Sequence, residues 1–311
     1  MGGGGRWDDK KWETYVSTSS TRTVHENFTA KKMVDYLDPK NIKVRESRDS
    51  DINPQSTAVA IALDVTGSMG MCAQQIATKG LGATFERILS NKPVSDPHVM
   101  IMGIGDIRYD RAPLQMTQFE AEVDPMTEQL EKLYLEMGGG GNQTESYDLA
   151  WYAAAALTSI DCFEKRGKKG YLFTVGDEDA PAGLPKDLLK DKCGIDVQHD
   201  VSASEALEMA ERKYHVYHVV VAEGSHCRMS GVDHVKASWV PLLGQRVLVL
   251  RNLADLAEVI TGAIEMNEGS SIDDVVADRA AKCSDSTAMV VREALEGLVP
   301  MNSSTSGLTA V

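Results

Sequence analysis

Thr57-Ala58-Val59-Ala60-Ile61-Ala62-Leu63-Asp64-Val65-Thr66-Gly67-Ser68-Met69-Gly70 is the stretch that decides how this chain is read. Its first seven residues form an apolar, partly β-branched run, the mark of a strand covered on both faces. Three oxygen-bearing side chains then alternate, Asp64, Thr66 and Ser68, and Gly67 lets the backbone bend tightly between them. A helix-forming segment follows, Met71 to Leu89, in which Ala73, Ala77, Gly80 and Ala83 are small enough for close packing on a sheet. The oxygen residues therefore fall on a strand-to-helix turn at the carboxyl edge of a sheet, where open α/β folds hold their ligands. One carboxylate and two hydroxyls directed at one spot suit a hard cation such as magnesium.

Outward from that turn, strand-like and helix-like segments alternate, which is the pattern of a mostly parallel α/β sheet. A second strand is expected over His98 to Gly105, ending in Asp106. Pro113 to Phe119 alternates Leu114 and Met116 with polar residues, as an exposed edge strand does. Asp124-Pro125 reads as N-cap and first position of a helix whose stripe is Met126, Leu130, Leu133 and Met137. Gly138 to Gly141 ends it, and Asn142-Gln143-Thr144-Glu145-Ser146 leads into a helix over Tyr147 to Thr158. Gly170 to Gly176 is a buried strand that stops at Asp177-Glu178-Asp179. An insertion at about 180–213 holds a capping box, Ser202 with Glu205, for a helix through Arg212. Strands at Tyr214 to Ala222 and Arg246 to Leu250 and a helix from Ala254 to Glu265 complete the sheet, with 223–245 expected as a loop.

Both ends read differently. Residues 1–56 form an N-terminal arm with a glycine run, a Ser/Thr stretch and balanced charge, ten Lys/Arg against nine Asp/Glu. Trp7, Trp12 and Tyr15 fall in it, so it is expected to pack on its own domain or on a neighbouring subunit, with a short helix near Ala30 to Leu37. Residues 267–311 carry two amphipathic helical patterns, Ile272 to Ala281 and Thr287 to Leu298, ahead of a Ser/Thr-rich tail.

The spacing D-x-T-G-S-M at Asp64 resembles the metal-ion-dependent adhesion site of von Willebrand factor A domains, with Thr66 in place of the usual first Ser. Two further segments resemble the other loops of that site. In Gly138 to Tyr147, Thr144 matches the form in which the second loop offers a hydroxyl and Glu145 the form in which it offers a carboxylate. In Thr174-Val-Gly-Asp-Glu, Asp177 matches the third-loop acid, although Val175 and Gly176 depart from the family's T-D-G pattern and leave Asp179 as a substitute. The resemblance covers roughly residues 55–266. It implies a central, mostly parallel sheet with one antiparallel edge strand, helices on both faces, and a site made by Asp64, Thr66, Ser68, Thr144 or Glu145, and Asp177. Magnesium is the implied ion, with manganese or calcium as alternatives. Taken singly, each segment also has an ordinary reading as a capped helix, a glycine linker or a solvated acidic turn.

Composition narrows the function. The net charge is −14, and beyond residue 56 there are 22 basic against 37 acidic residues, so a nucleic-acid-binding role is disfavoured. Five cysteines at 72, 162, 193, 227 and 283, with no C-x-x-C pair, suit a reducing compartment, and no run has the length of a membrane span. A cytoplasmic location is therefore the expectation. No Lys follows the glycine runs as a P-loop requires, a strand ending in D-x-D-x-T would suggest a phosphatase but has Thr66 at its second acid, and no nucleophile–base set is visible. His215 and His218 lie three apart on a strand and face opposite sides, and His226, Cys227 and His234 lack a fourth zinc ligand. A non-enzymatic module that binds an acidic Glu or Asp side chain of a protein partner through the cation is the reading that results. The resemblance adds a MoxR-type AAA+ ATPase as a candidate partner. A self-assembling protein linked into a homo-oligomer by its arm and C-terminal helices is the first alternative, and a metal-dependent phosphohydrolase the second.

Overall fold

The computed structural model describes residues 5–19, 21–66, 69, 81–135 and 145–301. Among the described residues the strands, in chain order, are β1 (Arg45–Ser47), β2 (Thr57–Asp64), β3 (Pro97–Ile104), β4 (Leu114–Met116), β5 (Thr158–Ile160), β6 (Gly170–Gly176), β7 (Tyr214–Val221) and β8 (Val247–Leu250). Six of them make the central sheet in the order β4-β3-β2-β6-β7-β8, parallel except for the antiparallel β3–β4 pair at one edge. The order runs one way from β2 to β4 and the other way from β6 to β8, so the direction of winding reverses between β2 and β6. That reversal leaves a crevice at the carboxyl end of those two strands.

Strand β2 is buried on both faces, as its apolar run requires. Val59, Ile61 and Leu63 join one core with Phe85, Ile88, Val259, Ile260 and Leu295, while Ala58, Ala60 and Ala62 face the other with Trp151, Trp239 and Met102. The first layer contains the helices Leu81–Asn91, Leu256–Asn267 and Asp285–Leu295; the second contains Tyr147–Ala156, Ala203–Glu211 and Val232–Leu243. Three alanines in a row on one face of β2 make room for the two tryptophans, since a packed interior has no spare volume.

The arm lies against the body. Its helix, Asp9–Ser19, buries Trp12 to 3% exposure, and the Trp12 indole N–H donates to Glu86 Oε2 at 2.8 Å. Trp7 and Tyr15 flank that ring at 5.2 and 5.4 Å between centroids. Aromatic burial, not helix propensity, holds the segment down, so Trp12→Ala should cost about 3 kcal/mol of stability and open the arm to limited proteolysis. An unchanged denaturation midpoint would show that the arm is merely laid on the surface. The expected helix at Ala30 to Leu37 is not formed: those residues make turns, and the short helix is instead Val24–Asn27. Further along, β1 pairs in parallel with β5 as a separate two-stranded ribbon.

Four other expectations are corrected. The edge strand is not exposed, because Leu114, Gln115 and Met116 are all buried; Gln115 both donates to the Tyr134 carbonyl and accepts from its N–H at 2.8 Å. The helix expected to open at Asp124 starts at Val123 and ends at Leu130, with Glu122 as N-cap, so Asp124 lies in its first turn. Residues 223–245 are helical, as Ser225–Ser230 and Val232–Leu243. Gly231 at φ +93° separates the two, and Pro241 falls inside the second. Its Pro removes one N–H donor, a loss outweighed by the complete burial of Trp239 on the sheet. In the insertion, Ser202 caps Ala203–Glu211 by accepting the Glu205 N–H, but the Glu205 carboxylate turns to His199, so only half of the capping box forms. Residues 71–80 and 136–144 of the expected helices and glycine run lie outside the described residues.

At the opposite, amino edge of the sheet, His98 is buried beside Ser47, and burial pushes its imidazole down to about 4 despite Asp96, Asp49 and Asp161 nearby. Its folded value lies below the unfolded one near 6.5, so the unfolded chain binds the extra proton between those limits. Stability should therefore rise with pH from about 4 to 6.5, by on the order of 3 kcal/mol for this group. Chemical denaturation across that window tests it: His98→Gln should flatten the pH dependence, and an unchanged slope would assign it to other groups.

Candidate metal centre

Asp64 is the last residue of β2, and Asp177 follows the last residue of β6, in a register that sets Leu63 beside Val175. The fold thus places two acids from distant parts of the sequence on either side of the crevice. Both are fully buried. The Thr66 N–H and hydroxyl donate to Asp64 Oδ1 at 2.9 and 2.6 Å, and the Tyr147 hydroxyl donates to Oδ2 at 3.1 Å. On the other side, the His226 N–H donates to Asp177 Oδ2 at 2.8 Å.

Glu145 sits just before the helix Tyr147–Ala156 and is 5% exposed, and its Oε2 is buried with no hydrogen-bond donor among the described residues. Burial drives its proton affinity up, and the charges acting on it, first Asp64 and then Asp110, Asp106 and Glu178, push the same way. Asp64 is raised as well: burial dominates, the Thr66 hydroxyl opposes it, and the Asp177 charge adds to it. These acids are held where each makes ionisation of the next harder, which is the field a bound cation would relieve.

The donor chemistry fits a hard cation. Carboxylates and a hydroxyl supply oxygen, and a Thr66 hydroxyl that gives its proton to Asp64 can meet a cation only through oxygen lone pairs, the polarity a cation needs. No group of three His, Cys, Asp or Glu side chains converges as a metal cage among the described residues. A site of the expected kind would need its hydroxyls to complete it. Of the six residues expected in it, Asp64, Thr66, Glu145 and Asp177 are brought to the same edge of the sheet, while Ser68 and Thr144 lie outside the described residues.

Asp179, the alternative third-loop acid, lies beside two imidazoles, 3.7 Å from His226 Nε2 and 3.6 Å from His234 Nε2, beyond hydrogen-bond distance, and Glu178 faces His226 Nδ1 at 3.4 Å. What holds the acidic loop is the His226 N–H on Asp177 Oδ2 at 2.8 Å and the Trp239 indole N–H on the Glu178 carbonyl at 3.0 Å. Asp106 caps its own turn, accepting the Arg108 N–H at 2.7 Å, while Asp110 accepts the Asp106 N–H at 2.7 Å.

Sequence reasoning missed Tyr147. It is completely buried, reaches Asp64 with its hydroxyl, and packs edge-on against His218 and Trp239, whose rings stack 3.5 Å apart. Gly176 exists for this contact: a Cβ there would lie 1.9 Å from the Tyr147 hydroxyl oxygen. A tyrosine opening a helix right after the glycine-rich loop that carries Glu145 was the available signal. Next to it, burial pushes Asp148 up to about 7, against the Gly183 N–H and the Arg108 guanidinium, which pull it down.

A mostly parallel α/β fold with a buried acidic centre at its winding reversal is what these observations define. No family model matches the chain and no curated protein matches it. Among solved structures it is similar to the pilus adhesin SpaC from Lactobacillus rhamnosus GG, in the open conformation, at 11% identity and a TM-score of 0.46, over 74% of this chain and 31% of that one. It is also similar to proximal thread matrix protein 1 from the mussel byssus, at 10% identity and a TM-score of 0.43, over 72% of this chain and 48% of that one. This chain therefore spans 31% and 48% of those proteins' lengths. No helix among the described residues is long and apolar enough to cross a membrane.

Proposed function

We propose that this chain is a von Willebrand factor A-type module that binds a divalent cation, magnesium in the first instance, and through it an acidic side chain of a protein partner. The observation that carries the reading is that Asp64 and Asp177 lie at the carboxyl ends of adjacent strands at the winding reversal, both buried, with Glu145 adding to the same local field. Asp64, Thr66, Asp177 and either Glu145 or the hydroxyls of Ser68 and Thr144 would hold the ion. The ion would supply a Lewis-acid position for an external carboxylate. Tyr147 and Thr66 fix the Asp64 carboxylate, and His226 fixes Asp177, so both are oriented before any ligand arrives.

The test is a titration of the purified protein with magnesium, manganese and calcium, following thermal stability in wild type and in Asp64→Ala. Stabilisation confined to the wild type supports the reading; equal behaviour of the two proteins would sink it.

A further inference from the structure

Resting on that reading, we propose that two exposed Arg–hydrophobic pairs, Arg108 with Tyr109 and Arg228 with Met229, frame the site on its two sides and select an acidic protein segment that carries an apolar side chain beside its carboxylates.

The sheet order dictates this framing. Loops after β2 and β6 bear the central acids, and the neighbouring loops on either side follow β3 and β7. Arg108 and Tyr109 are in the first of these, Arg228 and Met229 in the helix Ser225–Ser230 that follows the second. Three inter-strand spacings separate β3 from β7, roughly 14 Å, a span that four or five extended residues cover.

Both pairs are anchored to the site itself. The Ile107 N–H donates to Ser146 Oγ at 3.0 Å, beside Glu145, and Asp106 accepts from Arg108 N–H at 2.7 Å. On the other side, His226 is tied to Asp177, and the Arg228 N–H donates to the Gly224 carbonyl at 3.1 Å. Fixed backbone means that little ordering entropy is lost on docking.

Their side chains, in contrast, face outward. Tyr109 is 60% and Met229 79% exposed, among the largest values for any big apolar residue described. Arg108 and Arg228 are exposed too, and the Arg108 charge also reaches the buried Asp148. Tyr and Arg are the residue types over-represented at binding hot spots, and Met adapts to irregular apolar partners.

Charge decides the partner's sign. The chain carries −14 overall, which by itself repels acidic segments. Screening confines such repulsion to about 8 Å at physiological salt, so what an arriving segment meets is the local balance between the acids of the centre and the cations around them. A bound divalent ion offsets the buried acids, and the exposed charges of the two framing pairs are both positive, so this edge is less repulsive to an acidic segment than the rest of the chain.

The experiment uses two labelled peptides, one alternating Glu and Leu and one alternating Gln and Leu, added to the full chain in magnesium. Binding is read by fluorescence anisotropy, with thermal stability and solution mass followed in parallel. Wild type should bind the Glu/Leu peptide and not its Gln counterpart. Arg108→Glu/Arg228→Glu should weaken binding at least tenfold, and Tyr109→Ala/Met229→Ala several-fold, while both variants gain stability from magnesium at least as wild type does. Undiminished binding by the charge-reversed variant overturns the proposal. So does a wild type that magnesium stabilises but that ignores the peptide, and so does a magnesium-dependent doubling of mass without peptide, which would make a second copy the occupant. Failure of the metal reading is seen separately, as no stabilisation by any cation. Peptide binding that is then still lost on charge reversal leaves the framing surface standing, and its absence ends both.

Discussion

Titrated with magnesium, the wild-type protein should gain thermal stability and Asp64→Ala should gain none. A ligand that binds only the native state adds RT ln(1 + [L]/Kd), about 2.7 kcal/mol at a hundredfold excess over Kd, enough to raise the midpoint by several degrees. The gain has a local cause here. Asp64 and Glu145 are buried among acids that raise one another's proton affinity, and an ion placed among them removes that repulsion. Alanine at 64 deletes the carboxylate that orients Thr66 and receives the Tyr147 hydroxyl, so the remaining oxygens lose their common focus. The variant's metal-free stability can shift in either direction, because a desolvated acid and its hydrogen bonds disappear together. What counts is the increment on adding the ion, and its reversal by chelator. An equal increment in both proteins would place the ion elsewhere on a chain of net charge −14.

Arg279→Met should destabilise the fold by about 3 to 5 kcal/mol, the usual loss when one partner of a buried ion pair is removed. Arg279 is completely buried in the helix Ile272–Lys282, and its guanidinium meets Glu258 at 2.6 Å, Asp278 at 2.7 Å and Glu265 at 2.8 Å, with the Thr261 hydroxyl at 3.1 Å. Glu258 and Glu265 belong to Leu256–Asn267, the helix that lies on the sheet, so one arginine bolts the C-terminal pair of helices to the body. Its loss leaves two carboxylates in a partly dry groove, and only Glu258 keeps another partner, Arg87 at 2.6 Å. Arg279→Met/Glu265→Gln should recover part of the deficit. Denaturant midpoints of the three proteins provide the test, and a single variant within 1 kcal/mol of wild type would show that the C-terminal helices are held by apolar contact alone.

These helices were legible from their periodicity, as Ile272 to Ala281 and Thr287 to Leu298 against Ile272–Lys282 and Asp285–Leu295. Where they pack was not, since nothing local in sequence says that Arg279 turns inward. The arm divides in the same way. Its aromatics announced burial, but the helix formed around Trp12, where the ring finds Glu86, and not at Ala30 to Leu37, where propensity placed it. Residues 223–245, expected as a loop, form two helices despite Gly231 and Pro241, with Trp239 buried on the sheet.

The sequence by itself determined the alternation of strands and helices, the burial of β2 and the position of Asp64 at the end of it, because those follow from periodicity and from the chemistry of a strand-to-helix turn. It also marked Glu145 and Asp177 as acids at element ends. Only the tertiary structure decided that they share one crevice, that Tyr147 reaches across to Asp64 and that the His226 N–H meets Asp177. The physical reason is that local sequence governs which conformation a segment takes, whereas the proximity of residues 64, 145 and 177 is a property of strand order, which long-range packing alone selects.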